Sequence, residues 1–225
     1  MRKFFCLALL AASIWSCTDS GTSASADSTS ADSANTSSET TTAVDHSTMN
    51  MDTASAGGQS MMSMMNGMMD NMKGLQSTGN PDNDFALMMK AHHLGAIEMA
   101  QMEVAKGSDP QMKQLAQQMI DEQQKEVAQF NTFVSGHPAH GGGDAFFKEA
   151  MGMMGNMKMD MDATGSTDRQ FVQMMVPHHQ SAIDMSKAYI KSGPHEEGLK
   201  TMANGIIQSQ QKEIATLKAW LDKNK

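Results

Sequence analysis

Cysteine is almost missing from this chain, which has only Cys6 and Cys17 among its 225 residues. Both lie in a segment with the character of an export signal, so the remainder has no thiol for a disulfide framework, a zinc–thiolate site or thiol catalysis. Positive charge is also scarce: the net charge is −8, and no basic run is interleaved with aromatic residues. These absences argue against cysteine chemistry and nucleic-acid binding. Thioether and imidazole remain as the soft metal donors.

The N-terminus predicts export. Two basic residues precede the short apolar stretch Phe4–Ala12, which is too short to span a bilayer. Ile14–Ser16 resembles a relaxed lipobox, so we expect residues 1–17 to be a lipoprotein or secretion signal and Cys17 to be lipidated. Residues 18–60 are dominated by Ser, Thr and Ala, which predicts a disordered tether. The expected location is the periplasm or the cell surface.

Methionine is abundant, with 26 residues against two Trp and one Tyr. Part of it lies in a cassette that occurs twice, as Met-Met-Lys-Ala-His-His at 88–93 and Met-Met-Val-Pro-His-His at 174–179. Phe85 precedes the first cassette and recurs as Phe171, which gives the same spacing of 86 residues as the histidines. Similarity continues on both sides, so the chain contains a duplicated unit.

Apolar residues in each copy recur at three- and four-residue steps, which predicts helices rather than strands. Residues 106–110 combine Gly, Asp and Pro in the order that ends one helix and begins the next. Pro177 is expected to leave its helix continuous or mildly kinked. Neither hairpin can bury its apolar stripe alone, so the all-α prediction is an antiparallel four-helix bundle of two hairpins, each preceded by a short Met-rich segment. The predicted boundaries are 61–136 and 145–225 for the repeats and 137–144 for a His/Gly linker.

The histidines and methionines of each cassette share a helical face. Residues spaced by four and seven lie within about 40° of one another, and a neighbour in sequence lies about 100° around. Thioether and imidazole suit Cu(I), or Ag(I) as its analogue, better than they suit hard cations or zinc. The predicted metal ligands of the hairpins are His92, His93, His178, His179, Met88, Met99, Met174 and Met185.

Methionine is also dense ahead of each hairpin, in runs with Gly and Asn that we expect to be flexible donors rather than core helices. The predicted ligands there are Met65, Met68, Met69, Met72, Met153, Met154, Met157, Met159 and Met161. The structural alternative is that methionine fills the core and that each run forms a short amphipathic helix on the bundle. Partners expected for the histidines are Gln123, Glu126, Gln210 and Glu213, which would either satisfy buried imidazoles without metal or orient metal-bound ones.

The pattern Phe-x-x-Met-Met-x-x-His-His-x-x-Ala-Ile-x-Met, then Gly, then a helix with Gln-x-x-Glu-Ile and Trp220-Leu221, resembles the bacterial family catalogued as domain of unknown function 305. The resemblance covers about residues 61–225, twice over. It implies a ferritin-like fold, export, and copper binding linked to metal tolerance, with the paired histidines and adjacent methionines as functional positions. Copy one departs at Phe133-Val134, and its Leu94-Gly95 stands where copy two has Gln180-Ser181.

The sequence thus predicts an exported copper-binding protein that buffers or transfers metal, or confers tolerance to it, without a catalytic step. Oxidation of Cu(I) is an alternative activity. Its partners would be metal ions and a copper export or chaperone protein, with no nucleic acid and with a lipid anchor as the only membrane contact. One alternative is a structural or interaction module with hydrogen-bonded histidines. The other is a di-iron protein, but such sites use Glu-x-x-His pairs, and no Glu in the chain has a His three residues later.

Overall fold

The computed structural model describes residues 60–137, 143–155, 157 and 164–224. Every regular element in these ranges is an α-helix, which confirms the all-α prediction. The predicted signal and nearly all of the predicted tether fall outside the described residues. No helix within the described ranges is long and apolar enough to cross a membrane. The helices are α1 (Met61–Gly74), α2 (Pro81–Lys106), α3 (Pro110–Gly136), α4 (Ala145–Gly155), α5 (Thr167–Lys191) and α6 (Glu197–Lys223).

The turn between α2 and α3 forms from the residues that predicted it. Gly107 follows the last residue of α2, and its N–H donates to the carbonyl oxygen of Glu103 at 2.8 Å. The Asp109 side chain accepts from the backbone N–H groups of Gln111 and Met112, which caps α3, and Pro110 occupies the first helical position. Local chemistry therefore determines where this hairpin reverses.

The two hairpins meet through their first helices. α3 packs along α2, α6 packs along α5, and α2 and α5 pack against each other. The short helices α1 and α4 each contact both α2 and α5. The four long helices form the predicted bundle, and the duplicated cassettes lie on its two central helices.

Matching contacts hold the two ends of the α2–α5 pair. Asp82, at the start of α2, accepts a hydrogen bond from the Tyr189 hydroxyl near the end of α5. Asp168, at the start of α5, accepts from the backbone N–H groups of Ser108 and Asp109, at 2.8 and 2.7 Å, just beyond the end of α2. The start of each helix meets the end of the other, so α2 and α5 are antiparallel. Because Asp82 and Asp168 are equivalent in the two copies, the contacts follow the internal duplication.

Pro177 lies inside α5, which continues without interruption from Thr167 to Lys191. This confirms the expectation of a continuous helix. The residue is half-buried, and the flanking Met175 and His178 are fully buried. Packing on both sides stabilises the helix despite the hydrogen bond that proline cannot donate.

Both methionine runs differ from their prediction, since Met153 and Met154 of the second run lie in the helix α4. The first run differs over its whole length. It is the helix α1, not a flexible segment, and its four buried methionines are less than 3% exposed: Met61, Met65, Met68 and Met72. Their steps of four, three and four residues place them on one face, which packs against α2 and α5. Burial of this stripe outweighs the low helix propensity of Asn66, Gly67 and Asn71, because packing contributes more to helix stability than propensity does.

Candidate metal centre

Four histidines occupy the middle of the bundle. His92 and His93 lie on α2, His178 and His179 lie on α5, and all four side chains are 0% exposed. Such complete burial is unusual for an imidazole, and each buried ring nitrogen requires a partner. The identity of those partners determines what the centre can do.

His92 and His178 face each other across the α2–α5 contact. Their ring centroids lie 3.7 Å apart, and the ring planes are inclined by 34°. Burial lowers the pKa of His92 well below its usual value, and the neighbouring His93 lowers it further. Burial likewise lowers the pKa of His178, with the adjacent His92 ring as the second cause, and the His92 backbone offsets this only in part. Both rings are therefore neutral at physiological pH, which is the form that binds metal ions.

The second histidine of each pair turns toward the outer helix of its own hairpin. His93 Nε2 lies 2.8 Å from Glu126 Oε2 on α3 and forms a hydrogen bond with it. His179 Nε2 lies 2.8 Å from Glu213 Oε2 on α6, an ion-pair distance, but the atoms are not aligned for a hydrogen bond. The predicted contacts of Glu126 and Glu213 with the histidines are present.

The two predicted glutamines behave differently from the glutamates. Gln123 and Gln210 are 3% and 2% exposed, and the Oε1 atom of each has no hydrogen-bond partner among the described residues. Each lies one helical turn before the glutamate that contacts a histidine, Glu126 or Glu213. Glu126 and Glu213, not the glutamine oxygens, are therefore the partners nearest to the imidazoles, and Glu126 alone forms a hydrogen bond.

Hydrogen bonds fix the protonation of His92. The single hydroxyl proton of Ser181 is donated to the His178 carbonyl oxygen at 2.6 Å. Ser181 Oγ must therefore accept from His92 Nε2, 2.8 Å away, so Nε2 carries the proton of this neutral ring. Nδ1 of His92 is left with a lone pair. Sequence reasoning did not identify Ser181 as a partner of His92, although the difference from Gly95 at the equivalent position was visible.

All four Nδ1 atoms share one property. Each is buried without a hydrogen-bond partner in the described part of the chain, and so are Nε2 of His178 and Nε2 of His179. Buried polar atoms without partners are rare and costly, so several in one place call for an explanation. Imidazole lone pairs in a closed core are suited to binding a soft metal ion.

The methionines predicted as ligands are buried to different extents. Met68 packs directly on α2, against Gly95. Met69, Met153 and Met157 are half-buried, while Met159 and Met161 lie outside the described residues. The buried members of the set, all part of one apolar core, are Met65, Met68, Met72, Met88, Met99, Met154, Met174 and Met185.

Hard-metal chemistry has no support from this arrangement. Within the described ranges, no three His, Cys, Asp or Glu side chains converge in a way that could hold a metal ion. Thioether sulfur is the other soft donor in this core. Imidazole nitrogen and thioether sulfur in an apolar core favour a soft, monovalent ion.

Comparison with known proteins agrees with the duplication. The family profile described as Domain of unknown function (DUF305) matches residues 22–134 and again residues 135–221. An uncharacterized protein of Acanthamoeba polyphaga mimivirus, L153, is 41% identical over 58 residues, which cover 26% of this chain. The chain spans only 38% of the length of that viral relative.

Two solved structures of one protein, CopM, are also similar. CopM in its Ag-bound form, obtained by co-crystallization, is 30% identical with a TM-score of 0.50, over 63% of this chain and 96% of CopM. CopM in its Cu(II)-bound form has the same identity and TM-score, over 63% of this chain and 97% of CopM. The similarity therefore covers nearly all of CopM.

Proposed function

This chain belongs to the Domain of unknown function (DUF305) family, of which it carries two tandem copies, and we propose that it binds Cu(I), with Ag(I) as the chemical analogue. The observation that carries the proposal is the set of four buried imidazoles whose Nδ1 atoms have no partner within the described residues. They lie in a core rich in thioethers. Similarity to CopM, which has been solved with silver and with copper bound, supports the same choice of ion.

The proposed role is to buffer metal, to hand it on, or to confer tolerance to it, outside the cytoplasm. Export rests on the N-terminal signal pattern, with Cys17 as the proposed lipid attachment site. No catalytic step is part of the proposal, because neutral donors that hold a soft ion need no acid or base. A copper export or chaperone protein is the proposed recipient.

The structural alternative has one specific observation in its favour. His92 and His93 each form a hydrogen bond through Nε2, to Ser181 and Glu126. Such bonds hold a core together without metal, but the same bonds also orient a metal ligand by fixing the proton on the other nitrogen. The two functions therefore differ in whether the ring nitrogens without a partner bind a metal ion.

Competition with a chromogenic Cu(I) chelator under anaerobic, reducing conditions distinguishes copper binding from the structural alternative. We expect the wild-type chain to withdraw Cu(I) from the chelator, and a His92→Ala/His178→Ala double variant to bind at least about tenfold more weakly. The loss would reflect removal of two neutral nitrogen donors. The matched control is His195→Ala, since His195 is exposed in the α5–α6 loop, and it should bind as the wild type does.

Failure of the wild-type chain to compete would leave the structural alternative. Oxygen uptake on addition of Cu(I) in air, above that of the free ion, would instead indicate cuprous oxidation and contradict a purely binding role. Separate deletions of residues 61–72 and 151–161 would measure how much of the binding depends on the methionine runs.

A further inference from the structure

The two central histidines are equivalent in sequence but not in surroundings. Duplication places His92 opposite Ser181, whose hydroxyl accepts the Nε2 proton of His92 at 2.8 Å. The residue equivalent to Ser181 in copy one, which should lie opposite His178, is Gly95. Gly95 has no side chain to offer, so Nε2 of His178 lacks the partner that its counterpart has, and it is buried without any partner among the described residues.

A methionine from the first repeat fills the space that a residue-95 side chain would occupy. A β-carbon at Gly95 would lie 2.6 Å from Met68 Cβ, closer still to Met68 Cγ, and 3.9 Å from His178 Nε2. Met68 is 2% exposed and lies on the buried face of α1. Met68 Cβ and Cγ therefore occupy the space that a residue-95 side chain would fill, and His178 Nε2 borders the same space.

The protonation of His178 is not fixed in the way that of His92 is. Acceptors bond to Nε2 of His92 and His93, which keeps the proton there. No side-chain acceptor bonds to either nitrogen of His178 within the described residues, and only the His92 backbone favours a proton on the ring. The tautomer with the proton on Nδ1 leaves Nε2 with a lone pair. Met68 is anchored through Cβ and Cγ, while rotation about its last bonds moves the sulfur.

We propose that His178 Nε2 and the Met68 thioether form a nitrogen–sulfur pair that binds one Cu(I) or Ag(I) ion. This inference rests on the proposed function and names the ligands of one site. Both donors are neutral, so they match a soft monovalent ion and leave only its single charge in the apolar core. The second repeat supplies the nitrogen and the Met-rich helix of the first repeat supplies the sulfur. Gly95 makes the site possible, because any side chain there would separate the two.

The test is Cu(I) titration of the full chain against the chelator, for wild type, Met68→Leu and Met112→Leu. Leucine conserves volume but removes the sulfur, so circular dichroism should report unchanged helix content. Met112 is the matched control, since it is fully buried on α3 and outside the proposed ligand set. We expect Met68→Leu to weaken binding of one ion at least tenfold and Met112→Leu to leave binding unchanged.

Nitrogen-15 spectra of the histidine rings, recorded with and without Ag(I), provide the second measurement. Silver should shift Nε2 of His178 in the wild type, and Met68→Leu should reduce that shift. If wild type competes but Met68→Leu competes equally well, or if Met112→Leu is equally weakened, the pair is overturned while copper binding stands. A silver-induced shift confined to other histidines overturns it too. If the wild type itself does not compete, the proposed function fails first.

Discussion

At the scale of single residues, equivalent contacts at the two ends of the α2–α5 pair use different side chains. The Tyr189 hydroxyl donates a hydrogen bond to Asp82. The residue equivalent to Tyr189 in copy one is Glu103. Glu103 is 0% exposed, and neither of its oxygens has a hydrogen-bond donor in the described part of the chain. Burial raises its pKa to about 8, and Asp168, with which the side chain interacts, raises it as well. Glu103 is therefore mostly protonated at neutral pH, and it occupies beside Asp168 the position that Tyr189 occupies beside Asp82.

The partner carboxyl shifts in the opposite direction. Burial alone would raise the pKa of Asp168, but hydrogen bonds from the Asp109 backbone and from Ser108 outweigh it and lower the pKa to about 2. A lowered carboxyl pKa stabilises the fold above the unfolded value of 3.8, and this stability is lost as the pH falls through 2. The proton is thus held by Glu103 and the charge by Asp168.

The contribution of Glu103 to stability changes with pH in the opposite direction. The folded chain retains a proton that the unfolded chain has lost between pH 4.5 and about 8, so the free energy of unfolding should fall as the pH rises through this window. The slope can reach about 1.4 kcal/mol per pH unit. Glu103→Gln keeps a donor for Asp168 without a titrating proton, so at pH 9 we expect it to be more stable than wild type by at least about 1 kcal/mol.

Urea unfolding from pH 5 to 9 measures this difference. The matched control is Glu149→Gln, because Glu149 is exposed on α4, and this variant should keep the wild-type pH profile. A Glu103→Gln variant that loses stability with rising pH as steeply as wild type would show that Glu103 is not the titrating group.

At the scale of elements, the helix α1 is stabilised by its packing on the bundle. Its methionine face packs on α2 and α5, and Met68 reaches the α2 backbone at Gly95. Asn66, Gly67 and Asn71 lower its propensity to be helical in isolation. The helix therefore depends on the groove that Gly95 opens.

Two alanine substitutions separate propensity from packing. Gly95→Ala places a methyl group against Met68 Cβ and Cγ, so we expect it to destabilise the fold by about 1–3 kcal/mol despite the better helix propensity of alanine. Gly67 is exposed on α1 with nothing within 4 Å of an added β-carbon, so Gly67→Ala should stabilise by about 0.5–1 kcal/mol.

Amide hydrogen exchange locates these effects. Faster exchange in α1 is expected for Gly95→Ala and slower exchange for Gly67→Ala. Equal stabilisation by both substitutions would mean that the contact of Met68 with Gly95 does not hold α1 in place.

At the scale of the whole molecule, the histidine centre lies where the two repeats meet. His92 and His178 come from different hairpins, and their contact lies between the two end contacts of α2 and α5. An ion bound at this centre would join both halves of the chain. Binding should therefore stabilise the complete fold rather than one hairpin.

We expect Ag(I) to raise the melting temperature of the full chain. A free concentration one hundred times the Kd adds about 2.7 kcal/mol to the folded state, which corresponds to about 5 °C or more for a chain of this size. The His92→Ala/His178→Ala variant should show a smaller rise. A melting temperature of the wild type that silver leaves unchanged would contradict binding to the folded core.

The sequence by itself determined the features that depend on local pattern. Apolar spacing predicted the helices, Gly107, Asp109 and Pro110 located the turn between α2 and α3, and repetition predicted two equivalent hairpins. Glu126 was identified as a partner of the histidine pair because it shares the inward face of its helix. These features could be predicted since each depends on a helical period or on a few adjacent residues.

Only the tertiary structure decided how the two copies meet. The packing of α2 against α5 brings the rings of His92 and His178 together. Helical spacing does not predict this contact, because it identifies the face of each helix but not the register in which two helices pack. Packing also converts the first methionine run from an expected flexible segment into α1. The sequence contained the difference between Gly95 and Ser181. The consequence of that difference depends on a third element, α1, whose Met68 packs into the space beside Gly95. Contacts that join three distant segments arise from the packed fold and cannot be read from any one of them.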